Sequence, residues 1–278
     1  MPPQVHRTEL AETTYIFLQG LLLMPAPAHK KPLFTEYTRP SRKDCIFYHS
    51  FDLAEGEIIG QWDLRDHAEQ YLGGVNLNNL SVLEVGPASG FLSFHMESQG
   101  ASVTCVEPPI SYLWDTVPFE GYDFVSWRRE FAAEIQQVRN SFWYVHHEKK
   151  SRVRLLETDP YNIPTEAGQF DVGLLASVLL HSRRPFDLLE SVARRTERTM
   201  IITEVWNPTL GDGPVCMLLP HQGLKQVHTW WHFTPQFFIS ALGILGFGNP
   251  RVTIHTQGQP SEGREVMLFT VVCERPLS

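Results

Sequence analysis

The 278-residue sequence lacks the features of a cross-linked, zinc-bound or membrane-spanning protein. Its four cysteines lie far apart, and no two of them form a C-x-x-C pair. This spacing disfavours both a disulfide framework and a zinc site, so we expect a reducing, cytoplasmic location. No apolar run reaches the roughly 18 residues that a membrane-spanning helix needs.

Positive charge is also scarce. Lysine and arginine number 23 against 31 aspartates and glutamates, which gives a formal net charge of −8. A general nucleic-acid-binding protein needs a basic surface to displace counterions, so this balance argues against that class without excluding a local basic patch. Apolar residues make up 42% and aromatic residues 12% of the chain, enough for one enlarged domain with a core and an aromatic pocket.

Residues 1–60 precede the patterned part of the sequence. Ile16 to Met24 superficially resembles the apolar part of a signal peptide, but Glu9 and Glu12 occupy a region that should be positive. We therefore expect an amphipathic helix in an N-terminal cap, or else a contact between two copies of the chain. The prolines of residues 25–43 predict an extended connector, because each one removes a backbone donor.

From Ser81 onward, short apolar runs alternate with candidate helices, which predicts a doubly wound α/β fold with a mostly parallel, seven-stranded sheet. The last two runs flank a short turn-rich loop, so we expect them to form a C-terminal antiparallel hairpin. The predicted strands cover 81–85, 102–106, 152–156, 170–176, 199–205, 251–256 and 265–273. The predicted helices lie near 90–99, 126–148, 185–196 and 234–245.

Two glycines follow the first predicted strand, in the segment Glu84-Val-Gly-Pro-Ala-Ser-Gly90. Gly86 and Gly90 let the backbone approach a ligand without a Cβ clash, and the following helix start offers N–H groups to a negative group. Glu107, at the end of the second predicted strand, can accept both hydroxyls of a ribose. Glu84 would repel a pyrophosphate but suits an ammonium group, so the segment favours S-adenosylmethionine over a dinucleotide.

These motifs resemble those of the class I S-adenosylmethionine-dependent methyltransferases, from about Gly60 to Pro276. The resemblance implies a cofactor-binding domain over residues 61–278, with insertions at about 108–151 and 206–233. The residues that it implies at the cofactor are Trp62, Arg65, Glu84, Gly86, Ala88, Gly90, Glu107, Asp159, Pro160 and Ser177.

A narrower likeness is to the branch that contains the tRNA wobble-uridine carboxymethyltransferases and their small-molecule relatives. It rests on Gly60-Gln-Trp-Asp-Leu-Arg65, on the helix up to Tyr71, and on Val178-Leu-Leu-His-Ser-Arg-Arg-Pro185. That branch often has a tyrosine before the histidine, where this sequence has Leu180. A tRNA acceptor and a small-molecule acceptor therefore both stay open.

Histidines and tryptophans follow the fourth and fifth predicted strands, at the edge where an open sheet binds ligands. His181 is the leading candidate for a base or an acceptor-orienting residue, with His228 and His232 as further candidates. We expect no metal at the last two, because no carboxylate or cysteine accompanies them. The insertion 206–233 is too long for a plain turn and predicts a lid. The tryptophans that either wall a substrate pocket or fill the lid's own core are Trp206, Trp230 and Trp231.

Three functions follow from these features. The leading hypothesis is a cytoplasmic methyltransferase that acts on a hydroxyl of a small molecule, with an amine as the second candidate. The second makes tRNA the acceptor, bound by the aromatic and basic insertion 108–151, which alternatively forms an amphipathic helix with solvated charges. Its basic flank consists of Lys149, Lys150, Arg152 and Arg154. The third is a non-catalytic protein that binds the cofactor or a partner.

Overall fold

The structure, a computed structural model, describes residues 32–36, 38–112 and 115–276. The helix predicted at 16–24 lies outside these residues. The first part of the predicted cap and the first part of the predicted connector lie outside them as well. Contacts divide the chain into Met1–Pro32 and Leu33–Ser278, and the description below concerns the second unit.

Strands and helices alternate along this unit much as the sequence predicts. Within the described residues the strands are β1 (Phe51–Leu53), β2 (Gly56–Ile58), β3 (Ser81–Val85), β4 (Ser102–Glu107), β5 (Arg154–Glu157), β6 (Phe170–Ala176), β7 (Thr196–Val205), β8 (Cys216–Leu218), β9 (Trp231–Phe233), β10 (Gly248–Gln259) and β11 (Arg264–Glu274). The helices are α1 (Ala68–Tyr71), α2 (Phe91–Ser98), α3 (Phe124–Glu148), α4 (Pro185–Ala193) and α5 (Pro235–Ile244).

Seven strands form the central sheet in the order β10-β11-β7-β6-β3-β4-β5. The strands β3 to β7 are mutually parallel, whereas β11 is antiparallel to both β7 and β10. The strand order reverses between β3 and β6, so the carboxyl ends of these strands meet at the place where open α/β sheets bind ligands. The predicted doubly wound, mostly parallel sheet with a C-terminal hairpin is confirmed.

The parallel strands are apolar because both of their faces are covered. On one face Val82 and Leu174 belong to a core that includes Phe142 of α3. On the other face Leu83 belongs to a second core that includes Leu189 of α4. Full burial of each such side chain stabilises the fold by about 1.5–3 kcal/mol.

Three segments outside the sheet surround its ligand-binding edge. The segment 45–63 contains the β1–β2 hairpin and pairs with itself through a bridge between His49 and Trp62. The helix α3 lies in the connection between β4 and β5, and the lid predicted at 206–233 contains the antiparallel pair β8–β9. No helix in the described ranges is both long and apolar enough to cross a membrane.

Candidate active site

A cavity of about 510 Å³ lies at the carboxyl ends of β3, β4 and β6. Its volume falls within the range of small-molecule sites, about 300–1,000 Å³. Its walls come from the segment 48–64, the loop after β3, the helix α3 and the turn after β6. The cavity therefore lies where the sheet topology places a ligand.

The loop after β3 requires glycine at two positions. Gly86 and Gly90 have φ angles of +72° and +84°. A Cβ atom on Gly86 would lie 2.9 Å from Cγ2 of Val178, and one on Gly90 would lie 2.6 Å from the ring of Phe94. Ala88, between them, is also left-handed at +50°, a strained conformation for alanine. Gly86 and Ala88 line the cavity, so the backbone of this loop forms part of its wall.

Glu84 is buried at the end of β3 and lines the cavity. Its Oε2 accepts a hydrogen bond of 2.5 Å from Oγ of Ser93, and Sγ of Cys105 lies 3.6 Å away. Burial raises the pKa of Glu84 to about 7, because desolvation penalises the charged carboxylate. A cation in the cavity would favour the ionised form, which suits an ammonium group.

Glu107 lines the cavity from the end of β4, and the backbone of Ala88 hydrogen-bonds to it. Burial raises the pKa of Glu107 to about 7, against the opposing effect of Arg139, whose guanidinium lies 3.7 Å from Oε2. Arg139 also donates to Glu157 at 3.0 Å and to the carbonyl of Pro108 at 2.7 Å. A buried arginine thus holds the carboxylates at the ends of β4 and β5 in place.

The two residues predicted after β5 have different surroundings. Pro160 lines the cavity. Asp159 is exposed, and its carboxylate accepts the N–H of Tyr161 at 3.0 Å, so it caps the turn. Only Pro160 of this pair reaches the cavity.

Trp62 lines the cavity, but Arg65 does not. The guanidinium of Arg65 donates to three carboxylates at 2.7–2.8 Å. These acceptors are Asp52, Glu57 and Asp63. Because three acids already neutralise Arg65, the structure places it in a surface ion-pair network instead of beside a cofactor carboxylate.

Ser177 lines the cavity at the end of β6 and forms a hydroxyl pair with Tyr71. Its φ is +54°, and its Oγ lies 2.9 Å from the hydroxyl oxygen of Tyr71. The carbonyl of Tyr71 accepts hydrogen bonds from the hydroxyls of Thr203 at 2.7 Å and Thr270 at 3.1 Å. Burial raises the pKa of Tyr71, so the phenol stays protonated and can donate or accept a hydrogen bond.

His181 and His228 meet in the cavity wall. Nδ1 of His181 lies 2.6 Å from the carbonyl oxygen of His228, which fixes the proton on Nδ1 and leaves Nε2 as the nitrogen with a lone pair. Burial lowers the pKa of His181 to about 3, so its imidazole is neutral at physiological pH. The ring of His228 stacks on Phe131, with 5.3 Å between centroids.

The third candidate histidine and the lid tryptophans lie outside the cavity lining. His232 is on β9, opposite Met217 of β8. The indole N–H of Trp230 donates to the carbonyl of Asp115 at 2.9 Å, and that of Trp231 donates to the carbonyl of Ser182 at 2.7 Å.

Trp206 is tied to the sheet, since its backbone N–H donates to the carbonyl of Met267 at 2.9 Å. None of the three lid tryptophans lines the cavity, and their place in the lid's own core stays a prediction. Their indole N–H groups need acceptors when buried, and the backbone beside the turn after β6 supplies two of them.

Several lining residues were not singled out as pocket residues in the sequence. Trp127 and Phe131 line the cavity from α3, with stacked rings 4.6 Å apart. Their spacing of four residues places them on one helix face, which is the signal that could have identified them. Tyr161 also lines the cavity, and its hydroxyl contacts the carboxylate of Asp115 and lies 2.6 Å from Oγ of Ser182.

The basic stretch after α3 lies away from this cavity. Its residues are exposed, and Arg154 begins β5, at the amino edge of the sheet, whereas the cavity lies at the carboxyl edge. The guanidinium of Arg154 lies 4.6 Å from the ring centroid of Phe34 and donates to Oγ1 of Thr104. The exposure of these basic residues after α3 corresponds to the alternative of an amphipathic helix with solvated charges.

Comparisons with known proteins concern the fold. No protein-family model matches the chain, and no curated protein matches it. Among solved structures, the N-terminal domain of EvdMO1, determined in the presence of S-adenosylhomocysteine and D-fucose, superposes with a TM-score of 0.50 and 20% identity, covering 84% of this chain and 94% of that chain. The 1,6-didemethyltoxoflavin-N1-methyltransferase of Burkholderia thailandensis superposes with a TM-score of 0.47 and 17% identity, covering 77% of this chain and 78% of that chain. Magnesium protoporphyrin IX methyltransferase of Synechocystis PCC 6803 superposes with a TM-score of 0.48 and 14% identity, covering 77% of this chain and 82% of that chain. With its sheet order, the chain has the class I methyltransferase fold.

Proposed function

We propose that the protein is an S-adenosylmethionine-dependent methyltransferase that acts on a hydroxyl of a small molecule, with an amine as the second candidate. The observation that carries this proposal is the set of three features in one cavity. A left-handed glycine, Gly86, brings backbone to the cavity surface, and the carboxyl groups of Glu84 and Glu107 lie beside it at the ends of adjacent strands.

These residues fit the proposed cofactor. Bound S-adenosylmethionine supplies a methyl group on a sulfonium sulfur, which is a ready leaving group. Glu84 suits its ammonium group and Glu107 suits its ribose hydroxyls, while Pro160 offers an apolar surface near the end of β5 for adenine. A pyrophosphate beside the loop after β3 would be repelled by Glu84, which disfavours a dinucleotide. The presence of S-adenosylhomocysteine with the EvdMO1 domain is in keeping with this assignment.

The protein's contribution to methyl transfer is to hold the acceptor in line with the methyl group and to exclude water. His181 lines the cavity, and the carbonyl of His228 holds its ring through Nδ1, so a fixed imidazole stands beside the space for the acceptor hydroxyl or amine. Because burial lowers the pKa of His181 to about 3, we assign it to orienting the acceptor in preference to storing the released proton.

A small-molecule acceptor is favoured over tRNA by the position of the basic residues. Lys149, Lys150 and Arg152 precede β5 and so lie toward the amino edge of the sheet, away from the cavity. A nucleic acid held there would not present a base to His181. We retain a cytoplasmic location and a possible homodimer as parts of the proposal.

Isothermal titration calorimetry with S-adenosylmethionine tests the proposal directly. We expect one molecule to bind per chain with a dissociation constant below about 1 mM, within the usual range for enzyme ligands. NAD is the matched control, since it shares the adenosine but carries a pyrophosphate that Glu84 repels. No heat from S-adenosylmethionine would refute the assignment, and tight binding of NAD in its place would assign the cavity to a dinucleotide.

The affinity for S-adenosylmethionine should fall as the pH falls through about 7. Burial raises the pKa of Glu84 and of Glu107 to about 7, so each carboxyl is increasingly protonated below that pH and must lose its proton to hold a cation or two hydroxyls. We expect the dissociation constant to rise at least about tenfold between pH 8 and pH 6, since one pKa unit corresponds to 1.36 kcal/mol.

The same loss of protons from the two carboxyl groups can be measured at pH 6 as protons released on binding, by calorimetry in buffers of different ionisation enthalpy. Glu84→Gln should reduce both the number of protons released and the pH dependence. An affinity that stays constant from pH 8 to pH 6 in the unmodified protein would contradict the roles given to these carboxyl groups.

A further inference from the structure

The charged side chains that line the cavity are nearly all acidic. The acids are Glu84, Glu107, Asp115 and Glu134. Among lysines and arginines of the described ranges, Arg139 alone lines the cavity. Arg139 is already bound to two carboxylates and to the carbonyl of Pro108, so its charge is compensated within the protein. The carboxylate of the cofactor is offset by the cofactor's own ammonium group. An anionic group on the acceptor, in contrast, would meet Asp115 and Glu134 with no lysine or arginine of the described ranges left to offset its charge.

Aromatic rings line the cavity from two parts of the chain. One set comes from the segment before β3 and consists of Tyr48, Trp62 and Tyr71. The other comes from the residues between β4 and β6 and consists of Tyr112, Trp127, Phe131 and Tyr161. Whichever side adenine occupies, the other side still presents rings to a second ligand. Aromatic walls favour a planar, largely apolar molecule.

Besides the four acids, neutral hydroxyls line the cavity and form two pairs. Tyr71 and Ser177 form one pair, 2.9 Å apart, and Tyr161 and Ser182 form another, 2.6 Å apart. All four residues line the cavity. Hydroxyls can donate to and accept from an alcohol, a phenol or an amine, but they cannot neutralise a phosphate or a carboxylate.

We propose that the acceptor is a planar, largely apolar molecule that is neutral or cationic and carries no phosphate or carboxylate group. This inference rests on the proposed methyltransferase function, because it treats the cavity as shared by the cofactor and the acceptor. It narrows the acceptor class by charge and shape, and it excludes phosphodiester-bearing acceptors.

Three probes on one ring system test the inference. They are 2-naphthalenemethanol, 2-naphthylmethylammonium and 2-naphthoate, which are neutral, cationic and anionic at pH 7.5. Calorimetric titration of each into the full chain saturated with S-adenosylhomocysteine should give measurable binding of the first two. We expect 2-naphthoate to bind at least about tenfold more weakly than the alcohol, because a unit charge near several carboxylates is penalised in a partly dry cavity.

Matched variants separate the cavity's charge from the charge of the whole protein. Glu134→Gln removes one lining acid and should reduce the preference for the alcohol over 2-naphthoate several-fold. Glu130 lies one turn earlier on the same helix and does not line the cavity, so Glu130→Gln should leave that preference unchanged. An equal effect of both substitutions would show that the preference comes from the net charge alone, and would overturn the inference.

The outcomes distinguish this inference from the proposed function. If S-adenosylhomocysteine does not bind, the proposed function fails, and the same titrations on the ligand-free chain still measure the selectivity of the cavity. If S-adenosylhomocysteine binds but 2-naphthoate binds as tightly as the alcohol, the charge assignment is wrong. If S-adenosylhomocysteine binds and none of the three probes does, the assignment of a planar acceptor is wrong.

Discussion

Replacing Gly86 with arginine is expected to abolish measurable binding of S-adenosylmethionine. Gly86 lines the cavity at a φ of +72°, and a Cβ atom there would lie 2.9 Å from Cγ2 of Val178. Any side chain must therefore displace Val178 or shift the loop, and the left-handed backbone adds a cost of about 1–2 kcal/mol for a residue with a Cβ. An arginine would also bring a positive charge beside the space assigned to a cationic ligand.

The control for this substitution is Gly121→Arg. Gly121 has nearly the same φ, +71°, but no atom lies within 4 Å of the position of its Cβ, and it does not line the cavity. Both variants carry the same backbone penalty and the same added charge, so calorimetry should show normal binding by the second alone. Far-UV circular dichroism and the melting temperature establish that each variant folds. Unchanged affinity in a folded Gly86→Arg protein would contradict the assigned loop.

Replacing Glu107 with glutamine should weaken S-adenosylmethionine binding about ten- to hundredfold. The carboxylate is assigned to the ribose hydroxyls, and a hydrogen bond to a charged group contributes about 1.5–3 kcal/mol. Glutamine keeps the size of the side chain but loses the charge and one of the two acceptor oxygens. Because glutamine does not titrate, this variant should also lose part of the pH dependence expected near neutrality.

Glu157 provides a closely matched control. It is the residue paired with Glu107 across β4 and β5, and it also binds Arg139, but it does not line the cavity. Glu157→Gln thus removes the same charge from the same arginine. We expect its affinity for S-adenosylmethionine to stay within about threefold of the unmodified protein, since an ion pair of this kind contributes little to a ligand that it does not touch. Equal losses in both variants would mean that Glu107 acts only by holding Arg139.

The sheet could be predicted from the sequence because its parallel strands are buried on both faces. Ser81–Val85 and Phe170–Ala176 have the bounds that their apolar runs indicate. The hairpin is longer than predicted, because β10 continues through Gln257 and Gln259, polar residues that are buried and still pair with β11. Polar residues in a strand are invisible to a search for apolar runs.

The acceptor side was harder to predict, because its side chains are selected by contacts between segments distant in sequence. The indole N–H of Trp230 donates to the carbonyl of Asp115, 115 residues away in the sequence, and no local pattern reveals that bond. Arg65 forms part of its ion pairs with the β1–β2 hairpin. The two strands of that hairpin have three residues each and leave little signal in the sequence. In contrast, Gly86 and Glu107 belong to one strand-loop-helix-strand unit, so their local order was sufficient to place them at the cavity.

The anchoring of Tyr71 has a consequence for redesigning selectivity. Its carbonyl accepts hydrogen bonds from threonines of β7 and β11, two adjacent strands of the sheet. Grafting a different lid would exchange a surface loop and leave that phenol in place. Shortening Tyr71, by comparison, would keep that carbonyl but remove a buried side chain from the core. Directed evolution toward bulkier acceptors should therefore accumulate changes in α3 and the lid before it alters this tyrosine.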